Sequence, residues 1–445
     1  MRNGFLVTLL IFALFGCDSV IDKSNDVDKT NKYIVTSDID NFWNAYDKIT
    51  STKDTIQQVK FLKELFLDKA SEGQKGMITA RNYTEQEYIS SIINSSEFWK
   101  SIRKDTYQAK TLSKELELGI EKLSSIYPEL KPAKIYFTIG VLRSNGTTLD
   151  NSVLIGSELA FANKNTPTEE FPEYLSHLRS FFDSEPSENI VFLNIHEYVH
   201  TQQKTTIGDN LLAQTVLEGV AEFVAEKALN IESPNPQIKF GRGNDAKIKA
   251  KFKVEMFSPY VYNWIWNSTD NEFGMRDLAY YVGYRICENY YNIATDKEKA
   301  IRDMIQLDYN NESELMEFVE KSGYFSKPLN TYKEKFESSR PSVLGLGVIQ
   351  NKSINVKTNI NTLTISFSQE MDSLNRGFEL GSLGEDNVIR ISDYIGFSDD
   401  GKSVSFKIED LAPSKKYQII VSSRFCNTDG VPLIPYLIEF QTADK

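Results

Sequence analysis

From Ser37 to Tyr127 apolar residues recur at steps of three and four, as in Phe42, Tyr46, Val59, Phe61, Leu62, Leu65 and Phe66, and Leu112 to Ile126 repeats the pattern. That period places an apolar stripe along one face of a helix, so the stretch predicts a helical lobe, which Pro128 and Pro132 bring to a close. Two β-branched and aromatic runs follow, Lys134 to Gly140 (KIYFTIG) and Ser152 to Gly156 (SVLIG), and both read as strands. Between them Arg143 to Asp150 (RSNGTTLD) reads as a turn-rich loop. Asn189 to His200 (NIVFLNIHEYVH) is helical, and Ile190, Val191, Phe192, Leu193 and Ile195 make it too apolar to be a solvated helix. Leu211 to Leu229 (LLAQTVLEGVAEFVAEKAL) has helical spacing again, completing a helix, loop, helix unit. Glu232 to Asn244, with its Pro, Asn and Gly, reads as a loop, and Met275 to Tyr291 as an aromatic helix.

After Ser338 the texture changes. Short alternating runs, Leu363 to Phe367, Val388 to Ile391, Val404 to Ile408, Tyr417 to Val421 and Leu437 to Phe440, are separated by Gly, Asn, Asp and Pro turns. About a hundred residues of that pattern predict a β-sandwich. The chain is therefore expected to be α+β: a mostly helical region with a small mixed sheet over residues 37–338, its first lobe ending near 130, then an all-β sandwich over 341–445.

Candidate chemistry concentrates in one place. His196 and His200 are two of the three histidines in 445 residues, and Glu197 directly follows the first. Residues i and i+4 share a helix face, so the two imidazoles can meet one metal ion while Glu197 sits beside a water, the HExxH arrangement of zinc sites. Catalytic zinc takes three protein ligands and keeps one position open, and a neighbouring carboxylate can move the water's proton. Glu218, on the second helix, is the candidate third ligand, and Glu222 lies one turn further on the same face. Gly219, Ala221 and Ala225 are small enough for the two helices to approach closely. The third histidine, His177 in YLSHLRSFF, reads as a helix-surface residue.

HEYVH followed by LEGVAEF resembles the gluzincin zinc peptidases. It is especially similar to the NEGFAEY run of the M1-type aminopeptidases, and to predicted zinc-dependent proteases that occur as bacterial lipoproteins. The likeness covers about Tyr136 to Arg285. It implies Zn²⁺ held by His196, His200 and Glu218, with Glu197 as general base and Glu222 accepting a hydrogen bond from a ligand histidine. The spacer after His200 is one residue shorter than in the M1 pattern, which leaves Glu222 open as the ligand. The resemblance also implies that the SVLIGSE strand lends an edge to an extended peptide or protein substrate. A downstream tyrosine, Tyr281 or Tyr284, would stabilise the oxyanion, with Gly283 allowing close backbone approach. No GAMEN-like run that would grip a free amino terminus is present.

At the start of the chain Arg2, the apolar Phe5 to Phe15 and the Leu14-Phe15-Gly16-Cys17 sequence resemble a bacterial lipoprotein signal, with residues 1–16 cleaved. The resemblance implies lipidation of Cys17, a polar tether over 17–36, and a lipid-anchored place in the cell envelope, facing the periplasm or the cell surface. TISFSQEMD, LAPSKKYQIIV and IEFQT resemble bacterial Ig-like domains, which implies a spacer or a module contacting a surface partner or glycan. Only Cys287 and Cys426 remain, in separate predicted domains, so no structural disulfide is expected. A net charge of −12 without a basic stripe argues against nucleic-acid binding. The expected function is a zinc peptidase, the alternative a non-catalytic zinc-binding surface lipoprotein.

Overall fold

Helices in the first lobe begin where a side chain can satisfy backbone N–H groups that have no helical partner. Asp54 accepts from the amides of Ile56 and Gln57 ahead of Thr55–Leu65, and Ser71 accepts from Gln74 ahead of Glu72–Arg81. Thr84 and Glu87 form a reciprocal capping box for Glu85–Asn94. With Ser37–Thr50, Ser96–Thr106 and Ser113–Ile126 these complete the predicted lobe in this computed structural model, which describes residues 33–206 and 210–444. The expected signal segment, Cys17 and the expected tether through residue 32 lie outside the described residues, whereas the end of that tether is ordered: Ile34–Val35 is a strand paired with Ile135 and Tyr136, because its apolar side chains join the core. Phe42, Trp43, Phe66 and Trp99 are fully buried in the lobe, with the Trp43 ring nitrogen donating to Thr106 Oγ1 at 3.0 Å.

Four strands form the first sheet: β1 (Ile34–Val35), β2 (Lys134–Thr138), β3 (Gly146–Leu149) and β4 (Ser152–Gly156), in the order β1-β2-β4-β3. β2 runs parallel to β1 and β4, while β3 is antiparallel to β4. Two readings of the sequence change here. The stretch taken as a loop contains β3, which pairs from Gly146↔Ile155 to Leu149↔Ser152 around a two-residue turn at Asp150 and Asn151. Asp150 adopts φ 49°, the left-handed conformation such a turn needs and Asp tolerates. Consequently β4 is flanked on both sides, and the sheet edge beside the histidine helix belongs to β3.

The histidine helix Ile190–His200 and the glutamate helix Leu211–Leu229 pack together, and the tyrosine helix Leu278–Ile293 crosses the latter. Gly219 is needed at that crossing: a Cβ there would lie 2.0 Å from the Gly283 carbonyl carbon. The small residues therefore bring the glutamate helix against the tyrosine helix at this point. Most of the stretch read as a loop over 232–244 is the start of the helix Pro236–Glu255. Pro236 occupies the first turn, where its missing N–H costs nothing, and a Cβ at Gly241 would stand 2.1 Å from Cγ of the Tyr281 ring.

Beyond the helix Leu329–Ser339 the described chain is built of strands, apart from one 3-10 turn at Glu385–Asn387. Strands β5 (Val343–Gly345), β6 (Thr362–Phe367), β7 (Phe378–Glu379), β8 (Ile391–Phe397), β9 (Ser403–Ile408), β10 (Lys416–Val421) and β11 (Tyr436–Gln441) form two antiparallel sheets, β5-β6-β9-β8 and β11-β10-β7. Alternate residues face inward, Leu363, Ile365 and Phe367 on β6 and Val404, Phe406 and Ile408 on β9. They share one apolar cluster with Ile419, Val421, Ile438 and Phe440 of the other sheet. A separate cluster, with Ile34 and Leu329 at its sequence limits, fills the helical region and its sheet.

Candidate metal centre

Helical geometry turns the imidazoles of His196 and His200 to the same side, and the glutamate helix brings Glu218 against them. The two Nε2 atoms are 3.1 Å apart, and Glu218 Oε2 lies 3.4 Å from His196 Nε2 and 3.2 Å from His200 Nε2. The outer ring nitrogens are also engaged. His196 Nδ1 is 3.0 Å from Glu222 Oε2, and His200 Nδ1 is 2.6 Å from Gln203 Oε1. The Gln203 amide nitrogen donates to Leu217 O and Tyr309 Oη, which turns its oxygen toward His200. Acceptors at both Nδ1 atoms hold the N–H there and leave the Nε2 lone pairs inward.

Two lone pairs and a carboxylate oxygen therefore converge in a buried pocket, which is unfavourable unless positive charge lies between them. The donor set fits zinc. With metal–ligand bonds of about 2.0–2.1 Å, a tetrahedral site separates neighbouring donors by about 3.3 Å, and the three separations here bracket that value. The same field acts on the protonation of these groups. Burial opposes charge on His196, yet Glu218 and Glu222 push it up to about 10, and His200 is raised against burial chiefly by Glu218. Glu218 is buried too, but the histidines hold it well below the usual carboxylate range.

Glu222 thus stands behind His196, while the three inward donor atoms belong to His196, His200 and Glu218. Glu222 is itself fixed by the Ser233 hydroxyl, which donates to its Oε1, in the turn after the glutamate helix. Glu197, one position round the helix from His196, faces β3, where a Cβ on Gly146 would lie 2.9 Å from Glu197 Oε1. Burial raises the Glu197 carboxyl. The two-residue turn makes Leu149 and Ser152 the hydrogen-bonded pair of the hairpin, and the bond from Gly156 N to Asn145 O keeps the same phase. Gly146 and Thr148 consequently direct their backbone groups outward, away from β4.

Tyr281 and Tyr284 do not reach this centre. The Tyr281 hydroxyl donates to Asp245 at 2.9 Å and that of Tyr284 to Glu226 at 2.8 Å. Each step along a helix turns about 100°, and Tyr280 holds the face that looks at the metal centre. Its ring stacks on His196 with centroids 6.1 Å apart, and its hydroxyl lies within the field of Glu218. Burial pushes that hydroxyl well above its ordinary value, keeping it protonated as a donor. Tyr280, Gln203 and Ser233 were missed in the sequence, where nothing distinguishes them from neighbouring polar and aromatic residues. His177 is exposed, its ring nitrogen 3.2 Å from Tyr174 O.

No protein-family model matches the chain, and no curated protein matches it. Among solved structures, the crystal structure of the S-layer protein rSbsC(31-844) aligns with 65% of this chain and 39% of its own length, at 13% identity and a TM-score of 0.18. The structure of surface layer protein SbsC, domains 1-6, gives the same values. The chain thus spans well under half of those structures, and a TM-score of 0.18 supports no conclusion about fold or activity.

Proposed function

We propose that this chain is a zinc-dependent peptidase of gluzincin type, held in a bacterial cell envelope through lipid on Cys17. The observation that carries the reading is the convergence of His196 Nε2, His200 Nε2 and Glu218 Oε2 within 3.1 to 3.4 Å, each imidazole braced from behind by an acceptor. Bound there, zinc supplies Lewis acidity that polarises a carbonyl and acidifies a water. Glu197 takes the proton from the attacking water and returns it to the departing amine, a task suited to a carboxyl whose basicity burial has raised. The Tyr280 hydroxyl serves as a donor to the oxygen that gains charge. An extended peptide pairs with the outward N–H of Gly146 and the outward groups of Thr148 on β3, passing Glu197. The C-terminal sandwich acts as an Ig-like spacer or as a module that contacts a partner or glycan.

The test joins zinc stoichiometry to hydrolysis of a peptide library by the wild type and Glu197→Gln. One zinc per chain in both proteins, with hydrolysis reduced about 10²-fold or more in the variant, is expected for a general base. Turnover unchanged in Glu197→Gln removes Glu197 from that role. A zinc-loaded wild type inert toward every peptide would leave a non-catalytic zinc-binding lipoprotein.

A further inference from the structure

Two arginines flank the Gly146 end of β3, and the fold uses them differently. Arg143 donates to the carbonyls of Arg81 at 3.1 Å and Asn82 at 3.4 Å, closing the helix Glu72–Arg81. It also pairs with Glu87 at 3.1 Å and lies over the Tyr83 ring. Its charge is consumed within the protein. Arg81 is exposed and has no ion-pair partner among the described residues; its Nη2 makes a long contact, 3.5 Å, with Gly146 O.

What singles out Arg81 is what lies on the other side of Gly146. That glycine touches Glu197 where a Cβ would project, and its carbonyl already accepts from Ser144 Oγ at 3.0 Å. A guanidinium that makes no ion pair among the described residues, its charge felt by Glu197 across Gly146, therefore stands at the end of the open edge of β3. An exposed guanidinium not tied up in an ion pair offers an anion a local attraction and a fork of donors. A peptide paired parallel to β3 would turn its amino-terminal end toward Arg81, and an ammonium there is repelled. An antiparallel peptide turns its carboxyl-terminal end there instead.

We infer that Arg81 binds a carboxylate of a peptide substrate lying antiparallel to β3, either the peptide's free C-terminus or an acidic side chain beside the scissile bond. The inference rests on the peptidase reading and names its substrate class. The planar fork of a guanidinium accepts a carboxylate through two parallel hydrogen bonds, a geometry that a lysine ammonium cannot reproduce.

The experiment uses matched peptides, a free C-terminal acid against its amide and an internal Glu against Gln, with wild type, Arg81→Gln and Arg81→Lys. Hydrolysis is measured on the zinc-loaded proteins, and binding of the labelled peptides by anisotropy on the chelator-treated proteins. The wild type is expected to favour the carboxylate member about three- to tenfold, mainly in KM and in binding. Arg81→Gln abolishes that preference, and Arg81→Lys restores part of it. Sensitivity to amidation identifies the terminus, and sensitivity to Glu→Gln identifies the side chain; either supports the inference. Hydrolysis and binding that ignore the carboxylate in wild type and Arg81→Gln alike overturn it, while leaving the peptidase reading intact. Arg81-dependent binding without hydrolysis of any peptide overturns the peptidase reading and keeps a carboxylate site.

Discussion

At the candidate metal centre the roles divide between atoms that point inward and atoms that hold them there. Glu222 and Ser233 belong to the second group, so Glu222→Gln and Ser233→Ala are expected to weaken zinc binding about 10- to 100-fold in competition with a chelator, the cost typical of losing the group behind a ligand imidazole. Unchanged zinc affinity in both would show that His196 is oriented without them. Tyr280→Phe is expected to keep zinc affinity within a few-fold and to lower kcat about 10²- to 10³-fold, because it removes a donor and leaves the stacked ring. Equal kcat in Tyr280→Phe and wild type would take the hydroxyl out of the reaction. The histidine pair was legible from the sequence because a spacing of four needs no tertiary information once a helix is granted, whereas the choice of Glu218 over Glu222 as the third inward donor depends on how the two helices pack. Which of Tyr280, Tyr281 and Tyr284 faces His196, His200 and Glu218 depends on how the tyrosine helix is rotated. That rotation is set by the contact of Gly283 with Gly219, between residues far apart in sequence.

At the level of elements, the crossing of the glutamate and tyrosine helices carries both Glu218 and Tyr280. Gly219→Ala would place a methyl 2.0 Å from the Gly283 carbonyl carbon, so the helices must separate. The expected cost is about 1–3 kcal/mol in chemical denaturation, with weaker zinc binding because Glu218 moves with its helix. A variant as stable as wild type would mean that the crossing yields. A second element-level prediction concerns the bend after β2, where the buried Glu158 carboxylate accepts from the amides of Gly140 at 3.0 Å and Leu142 at 3.3 Å. Burial raises this carboxyl from 4.5 to about 7 despite those bonds. Between these values the folded chain keeps a proton that the unfolded chain has released, so unfolding free energy falls as pH rises. The contribution is complete below 4.5, is lost as pH passes about 7, and amounts to on the order of 3 kcal/mol. Urea unfolding of wild type and Glu158→Gln at pH 5 and pH 8 checks it: the difference between the two proteins should change by that order, and a constant difference would refute it. β3 escaped the sequence reading for a reason of the same scale. GTTL is too short to display a period, and its pairing with β4 makes it a strand. The helix Pro236–Glu255 escaped because Gly241, of a residue type that normally signals a loop, serves there as the contact point for the Tyr281 ring, while Gly243 faces open space.

Across the whole molecule the apolar residues fall into two sets that do not share members, one over the helices and first sheet, the other between the two C-terminal sheets. The junction is short and polar. Arg340 donates from Nε to Pro432 O at 3.1 Å and from Nη2 to Leu433 O at 2.7 Å, and Gln369 donates to Ser339 O at 2.9 Å. Hydrogen bonds of this kind fix a direction but each contributes only about 0.5–1.5 kcal/mol net, far less than burial of an apolar cluster. The texture change after Ser338 was visible in the sequence because the hydrophobic period itself shifts from helical to alternating, whereas the contacts made by Arg340 depend on loops brought together from the far end of the chain. A chain ending at Arg340 is therefore expected to bind zinc and to hydrolyse peptides within about twofold of the longer protein, since no zinc-ligand candidate and no residue of β3 comes from the sandwich. Zinc content, peptide hydrolysis and thermal unfolding of the shortened chain decide it. Loss of zinc from a still helical fragment would mean that the sandwich braces the metal centre, and would move the search for its role from partner binding to support of the site.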